Sequence, residues 1–124
     1  MTVVDTSVLI ASLTSDRPAF SQFQDAFLRG ERLLLPSIVL FEWLRGPRTP
    51  LELAHQDALL PSDAAIPFGV REAGIAARLY RQVSRARGRE MDLAIAAYAI
   101  AREIPLWTLN RKDFADIPGL QLAP

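Results

Sequence analysis

The opening run Met1-Thr2-Val3-Val4-Asp5-Thr6-Ser7-Val8-Leu9-Ile10 sets a carboxylate between two apolar stretches, and no other feature limits the possible folds as strongly. Val3 and Val4 are β-branched and suit a short buried strand. Val8 to Ala11 stays apolar with no glycine or proline to break it. A carboxylate in such surroundings is costly to bury unless something cationic meets it. In an open α/β sheet, ligands bind at the carboxyl ends of the strands. Asp5 is therefore the first candidate for chemistry, and the question becomes which other acids join it.

The rest of the chain alternates apolar strand patterns with helical ones. Ser7 to Leu13 reads as a helix. Asp16 with Pro18 reads as the start of a second, which carries Phe20, Phe23 and Phe27 on one face and stops at Gly30. Arg32 to Leu35 is a strand, and Ser37 caps a helix from Ile38 to Arg45 ahead of Gly46-Pro47. Thr49-Pro50-Leu51-Glu52 has capping-box spacing with proline at the first helical position. Ala65 to Phe68 reads as an edge strand, because Pro67 withholds one ladder donor. A long helix is expected from Val70 to about Arg87, ended by Gly88, and another from Met91 to Arg102. Pro105 to Leu109 and Leu120 to Leu122 close the pattern as strands, with Asn110 capping a short turn through Phe114 between them.

Strands alternating with helices predict one α/β domain over residues 1–124, a three-layer α/β/α arrangement around a mostly parallel sheet. Right-handed crossovers place the strand-to-helix turns along one edge. Asp5 and the segment Asn110 to Asp113 belong on that edge together.

Composition narrows the chemistry. With no cysteine and only His55, any metal must be held by oxygen, which favours magnesium or manganese over zinc. The 14 basic residues balance 14 acidic ones, so overall charge selects no class of partner, although a local patch remains open. The longest apolar run, Leu93 to Ile100, falls far short of the roughly 20 residues that span a bilayer. With no secretory signal pattern, the expected location is the cytoplasm.

Three further acids stand out. Glu42 lies in Ile38-Val39-Leu40-Phe41-Glu42-Trp43-Leu44, where almost no polar stripe exists to carry it into water. Asp92 precedes Leu93-Ala94-Ile95-Ala96-Ala97-Tyr98, and Asp113 follows Asn110. Singly, each has a plain explanation as a surface or helix-start acid. Jointly they fall at strand ends and helix starts. Converging carboxylates raise one another's pKa unless a cation intervenes. With no lysine cluster to supply it, a divalent metal is the economical answer. Two such ions about 3.5–4 Å apart can activate water and stabilise the leaving oxygen of a phosphodiester displacement.

Val3-Val4-Asp5-Thr6-Ser7-Val8-Leu9-Ile10, Phe41-Glu42, Met91-Asp92-Leu93-Ala94-Ile95-Ala96-Ala97 and Thr108-Leu109-Asn110-Arg111-Lys112-Asp113-Phe114 resemble the four signature blocks of PIN-domain ribonucleases, and most of all the VapC toxins of type II toxin–antitoxin systems. The resemblance covers essentially the whole chain, in order. It implies a magnesium- or manganese-dependent endoribonuclease that leaves a 5′-phosphate and a 3′-hydroxyl, a homodimer, and a cognate VapB-type antitoxin. By position it makes Asp5 and Asp92 the principal metal ligands. Glu42 and Asp113 complete the catalytic acids, with Thr6 or Ser7 and Asn110 as supporting polar groups.

Other features divide between plain and functional readings. Arg78, Arg81 and Arg85 recur at helical spacing before Arg87 and Arg89, as a solvated face or as a basic rim in which Arg85 and Arg89 hold RNA phosphates. The phenylalanine face is core or part of a groove for an antitoxin helix. Trp43 and Trp107 read as core and His55 as a surface residue, while Glu90 has no evident role. Two rivals remain to the nuclease. One is a phospho-accepting, receiver-like domain, which needs a lysine beside its acids; the only lysine, Lys112, adjoins Asp113 instead of ending its own strand. The other is a catalytically silent PIN domain that only binds RNA or a partner.

Overall fold

The computed structural model describes residues 1–14 and 16–124. Strand β1 (Thr2–Val4) lies at the centre of a three-stranded parallel sheet of order β2-β1-β3, with β2 at Leu33–Leu34 and β3 at Leu106–Trp107. Thr2 is in register with Leu33, and Val4 with Trp107. The helices are α1 (Thr6–Leu13), α2 (Phe20–Leu28), α3 (Ser37–Arg45), α4 (Pro50–Leu59), α5 (Val70–Gln82), α6 (Glu90–Arg102) and the short α7 (Arg111–Phe114). β1 leads through α1 and α2 to β2 on one side, and the chain then passes through α3 to α6 to reach β3 on the other. The strand order therefore switches direction at β1, where an α/β sheet opens a crevice beyond its carboxyl ends.

The expected outer strands shrink to single bridges. Ile66 pairs with Pro36 alone, and Leu122 with Leu106 alone. Pro67 explains the first: it has no N–H to extend the ladder beyond Ile66. Helix α5 stops at Gln82, five residues short of the expected Arg87. Val83 adopts an extended conformation and Arg85 a left-handed one, φ 53°. Val83 and Ala86 keep the apolar spacing of the helix because both are buried, but they sit in a turn toward α6 instead of a further helical turn. Asp16 does not cap α2, which begins at Phe20 after Ala19. Ser37 lies one place inside α3, behind Pro36 at the cap position. Thr49 and Glu52 form the expected capping box.

The core gathers Val3, Val4, Phe23, Trp43, Tyr98 and Leu106. Phe23 is fully buried and Phe27 packs on it edge-on, with ring centres 5.1 Å apart, so the phenylalanine face is largely core. Helix α6 packs on β1, α3 and α5, and every residue from Leu93 to Ala99 is buried. At its far end Arg102 donates to the buried Glu72 of α5 at 3.0 Å. Among the described residues, no helix is long and apolar enough to cross a membrane.

Candidate functional site

Asp5 occupies the N-cap position of α1 at the carboxyl end of β1. An N-cap aspartate ordinarily accepts from N–H groups of its own helix. Here Oδ2 instead accepts from Ser7 Oγ at 2.8 Å and from Thr108 Oγ1 at 2.7 Å. The backbone completes both hydroxyls: Leu109 N–H donates to Ser7 Oγ and Asn110 N–H to Thr108 Oγ1, each at 3.0 Å. Each hydroxyl hydrogen is spent on Asp5, so the 3.4 Å approach of the two oxygens is a contact and not a further bond. This arrangement offsets the burial of Asp5, which is 4% exposed, and ties the end of β1 to the end of β3. Oδ1 has no hydrogen-bond partner among the described residues.

Helix α3 brings Glu42 to the same place. Thr6 Oγ1 donates to its Oε1 at 2.6 Å, and Arg45 lies 3.4 Å from its Oε2. Asp92 stands in the first turn of α6, where the helix dipole favours ionisation. Burial and then the charges of Asp5, Asp113 and Glu42 outweigh that help and the nearby Arg89, and raise the Asp92 carboxyl to about 6. Asp5, Glu42 and Asp92 line one open cleft of about 720 Å³, together with Thr6, Ser7 and Asn110. Asp113 sits outside that lining, on α7, yet close enough to act on Asp92.

The donor set is all oxygen and carries uncompensated negative charge, which suits a hard divalent cation. Among the described residues, no three acidic side chains stand at the spacing of a shared metal shell.

Residues 2–120 match the model of the PIN domain. The chain belongs to the PIN-domain family. Ribonuclease VapC of Rickettsia bellii (strain RML369-C) is 32% identical over 131 residues, spanning 97% of this chain and 92% of that protein. The crystal structure of a member of the VapBC family of toxin–antitoxin systems, VapBC-5 from Mycobacterium tuberculosis, matches with a TM-score of 0.61 at 29% identity, over 97% of this chain and 92% of that one. DNA-bound VapBC from Salmonella typhimurium matches at 0.80 and 20% identity over 98% and 96%, a likeness of fold.

In this PIN domain Asp5, Glu42 and Asp92 line one cleft with Thr6, Ser7 and Asn110, while Asp113 stands beside it, outside the lining. Thr108 joins the site beyond the residues expected from sequence, although it lies within one of the four blocks. Its signal was a hydroxyl directly after the apolar pair Leu106-Trp107. Arg89 is occupied: it binds both carboxylate oxygens of Asp116, at 2.6 and 2.9 Å, and the carbonyls of Asp113 and Ser84. It thereby fastens α7 to the start of α6. Arg85 is exposed on the turn after α5. Glu90 faces a groove beside Phe68 and Tyr80, away from the acidic cleft. Lys112 is exposed on α7 and does not line the cleft, so nothing places a lysine where a receiver domain needs one.

Proposed function

We propose that this PIN domain is a magnesium- or manganese-dependent endoribonuclease, the toxin of a VapBC-type toxin–antitoxin pair acting in the cytoplasm. The observation that carries the reading is the gathering of Asp5, Glu42 and Asp92 around one cleft at the strand ends with Asp113 beside it, where burial and then the three neighbouring charges raise the Asp92 carboxyl to about 6. Its likeness to proteins named Ribonuclease VapC supports the substrate class. Asp5 and Asp92 are the principal ligands, with Glu42 and Asp113 completing the set. A divalent ion bound there would supply the positive charge that activates water and stabilises the leaving oxygen of a phosphodiester displacement.

The protein's own groups do the positioning. Ser7 and Thr108 hold Oδ2 of Asp5 and leave Oδ1 for the ligand. Thr6 fixes Glu42, and Arg89 steadies the helix that carries Asp113. Exposed apolar side chains, among them Phe41, Leu44, Leu51 and Val70, are the kind of surface that partner proteins cover. A VapB-type antitoxin and a second copy of the chain are the proposed occupants.

The test is cleavage of RNA by purified protein in manganese, in EDTA, and with Asp5→Asn. Activity in manganese alone supports the reading. Equal activity in all three assigns the cleavage to a contaminant.

A further inference from the structure

Arg45 closes α3 and is, among the described residues, the one basic side chain lining the acidic cleft. Its guanidinium lies 3.4 Å from Glu42 Oε2, with the side chain 57% exposed, and 5.3 Å from the centre of the Phe41 ring. Neither contact fixes it. An exposed ion pair at that distance contributes little and is screened by salt, and an exposed cation–π contact is similarly weak. Neighbouring guanidiniums are committed elsewhere. Arg89 is held by Asp116, Arg111 donates to the carbonyl of Ala123 at 2.6 Å, and Arg48 covers Trp43 while donating to its carbonyl at 2.9 Å. Glu42 does not depend on Arg45 either, because Thr6 already holds its other oxygen at 2.6 Å.

We propose that Arg45 is a substrate-binding residue that exchanges Glu42 for a backbone phosphate of single-stranded RNA beside the acidic cluster. This rests on the ribonuclease reading and deepens it. Four carboxylates repel a polyanion, so the strand needs a cation at the mouth of the cleft. A guanidinium fork matches phosphate oxygens with paired donors. Phe41, one turn earlier and 53% exposed, offers a face on which an adjacent unpaired base stacks.

The experiment measures binding of a fluorescein-labelled single-stranded RNA in EDTA across a salt series, by anisotropy, for wild type, Arg45→Ala and Arg45→Lys. Arg45→Ala should weaken binding about tenfold, the size of one lost charge-assisted bond. It should also flatten the slope of log K against log salt by about 0.7, the loss of one single-strand phosphate contact. Arg45→Lys should keep the slope. In manganese, Arg45→Ala should raise KM with kcat within about twofold. An unchanged slope, or a loss confined to kcat, overturns the assignment of Arg45. Wild-type protein that neither binds nor cleaves RNA overturns the ribonuclease reading instead, and the two failures are distinct.

Discussion

Thr108 and Asp5, 103 residues apart in sequence, meet in a 2.7 Å hydrogen bond that joins the ends of β1 and β3. The bond is buried and its acceptor is a carboxylate, the class of hydrogen bond that contributes about 1.5–3 kcal/mol. Thr108→Val keeps the shape and removes the donor, so it should destabilise the protein by about 2 kcal/mol in urea unfolding. Thr108→Ser keeps the hydroxyl and should lose about 1 kcal/mol or less through the missing methyl. Equal losses in the two variants would show that packing, and not the bond, matters at this position.

Asp92 predicts an unusual pH dependence in metal-free protein. Its folded carboxyl titrates near 6 against 3.8 for the free group, because burial and three neighbouring acids disfavour the charge. The fold binds that proton more tightly than the unfolded chain does. Stability from this group is therefore greatest below pH 3.8 and declines as pH climbs from about 4 to about 6. Each pKa unit is worth about 1.4 kcal/mol; solvent screening of this partly exposed group reduces the total to about 1–2 kcal/mol. Asp92→Asn should exceed wild type in stability by that amount at pH 7 in EDTA, with the gap closing at pH 4. A constant gap across the range would contradict the charge account.

Manganese should reverse the same penalty. A ligand of the folded state alone, present at about 100 times its Kd, adds about 2.7 kcal/mol. The melting temperature should rise with millimolar manganese in wild type and not in Asp5→Asn or Asp92→Asn. A rise of the same size in all three would place the ion elsewhere.

Arg89 and Asp116 form a two-pronged ion pair, and the pair also pushes the Asp116 carboxyl below its usual range. Both residues are partly exposed, so breaking the pair should cost only about 1 kcal/mol. Arg89→Ala and Asp116→Ala should be non-additive in a double-mutant cycle. Because the guanidinium is already engaged, Arg89→Ala should leave the salt slope of RNA binding as in wild type. A flatter slope would restore Arg89 to the phosphate rim.

The acids were legible because each carries a local signal: Asp5 after two valines, Asp92 at a helix start, Glu42 in a helix with almost no polar face. Their meeting followed from alternating elements and crossover handedness. What stayed hidden is tertiary. Val83 and Ala86 show helical spacing whether the chain continues α5 or folds them into a buried turn. The pairing of Arg89 with Asp116, 27 residues on, and of Thr108 with Asp5 leaves no trace in periodicity. The basic stripe read along α5 did not reveal that Arg45, on another helix, faces the cleft.

Helix α6 is wetted on no side between Leu93 and Ala99. Asp92 stands at the threshold of that dry stretch, so it cannot drift from its fellow acids unless the middle of the molecule opens. The backbone that carries Asp92 is anchored in the core. Hydrogen exchange at Leu93 to Ala99 should then proceed only through whole-molecule opening, and catalysis should vanish at the same urea concentration as the fold.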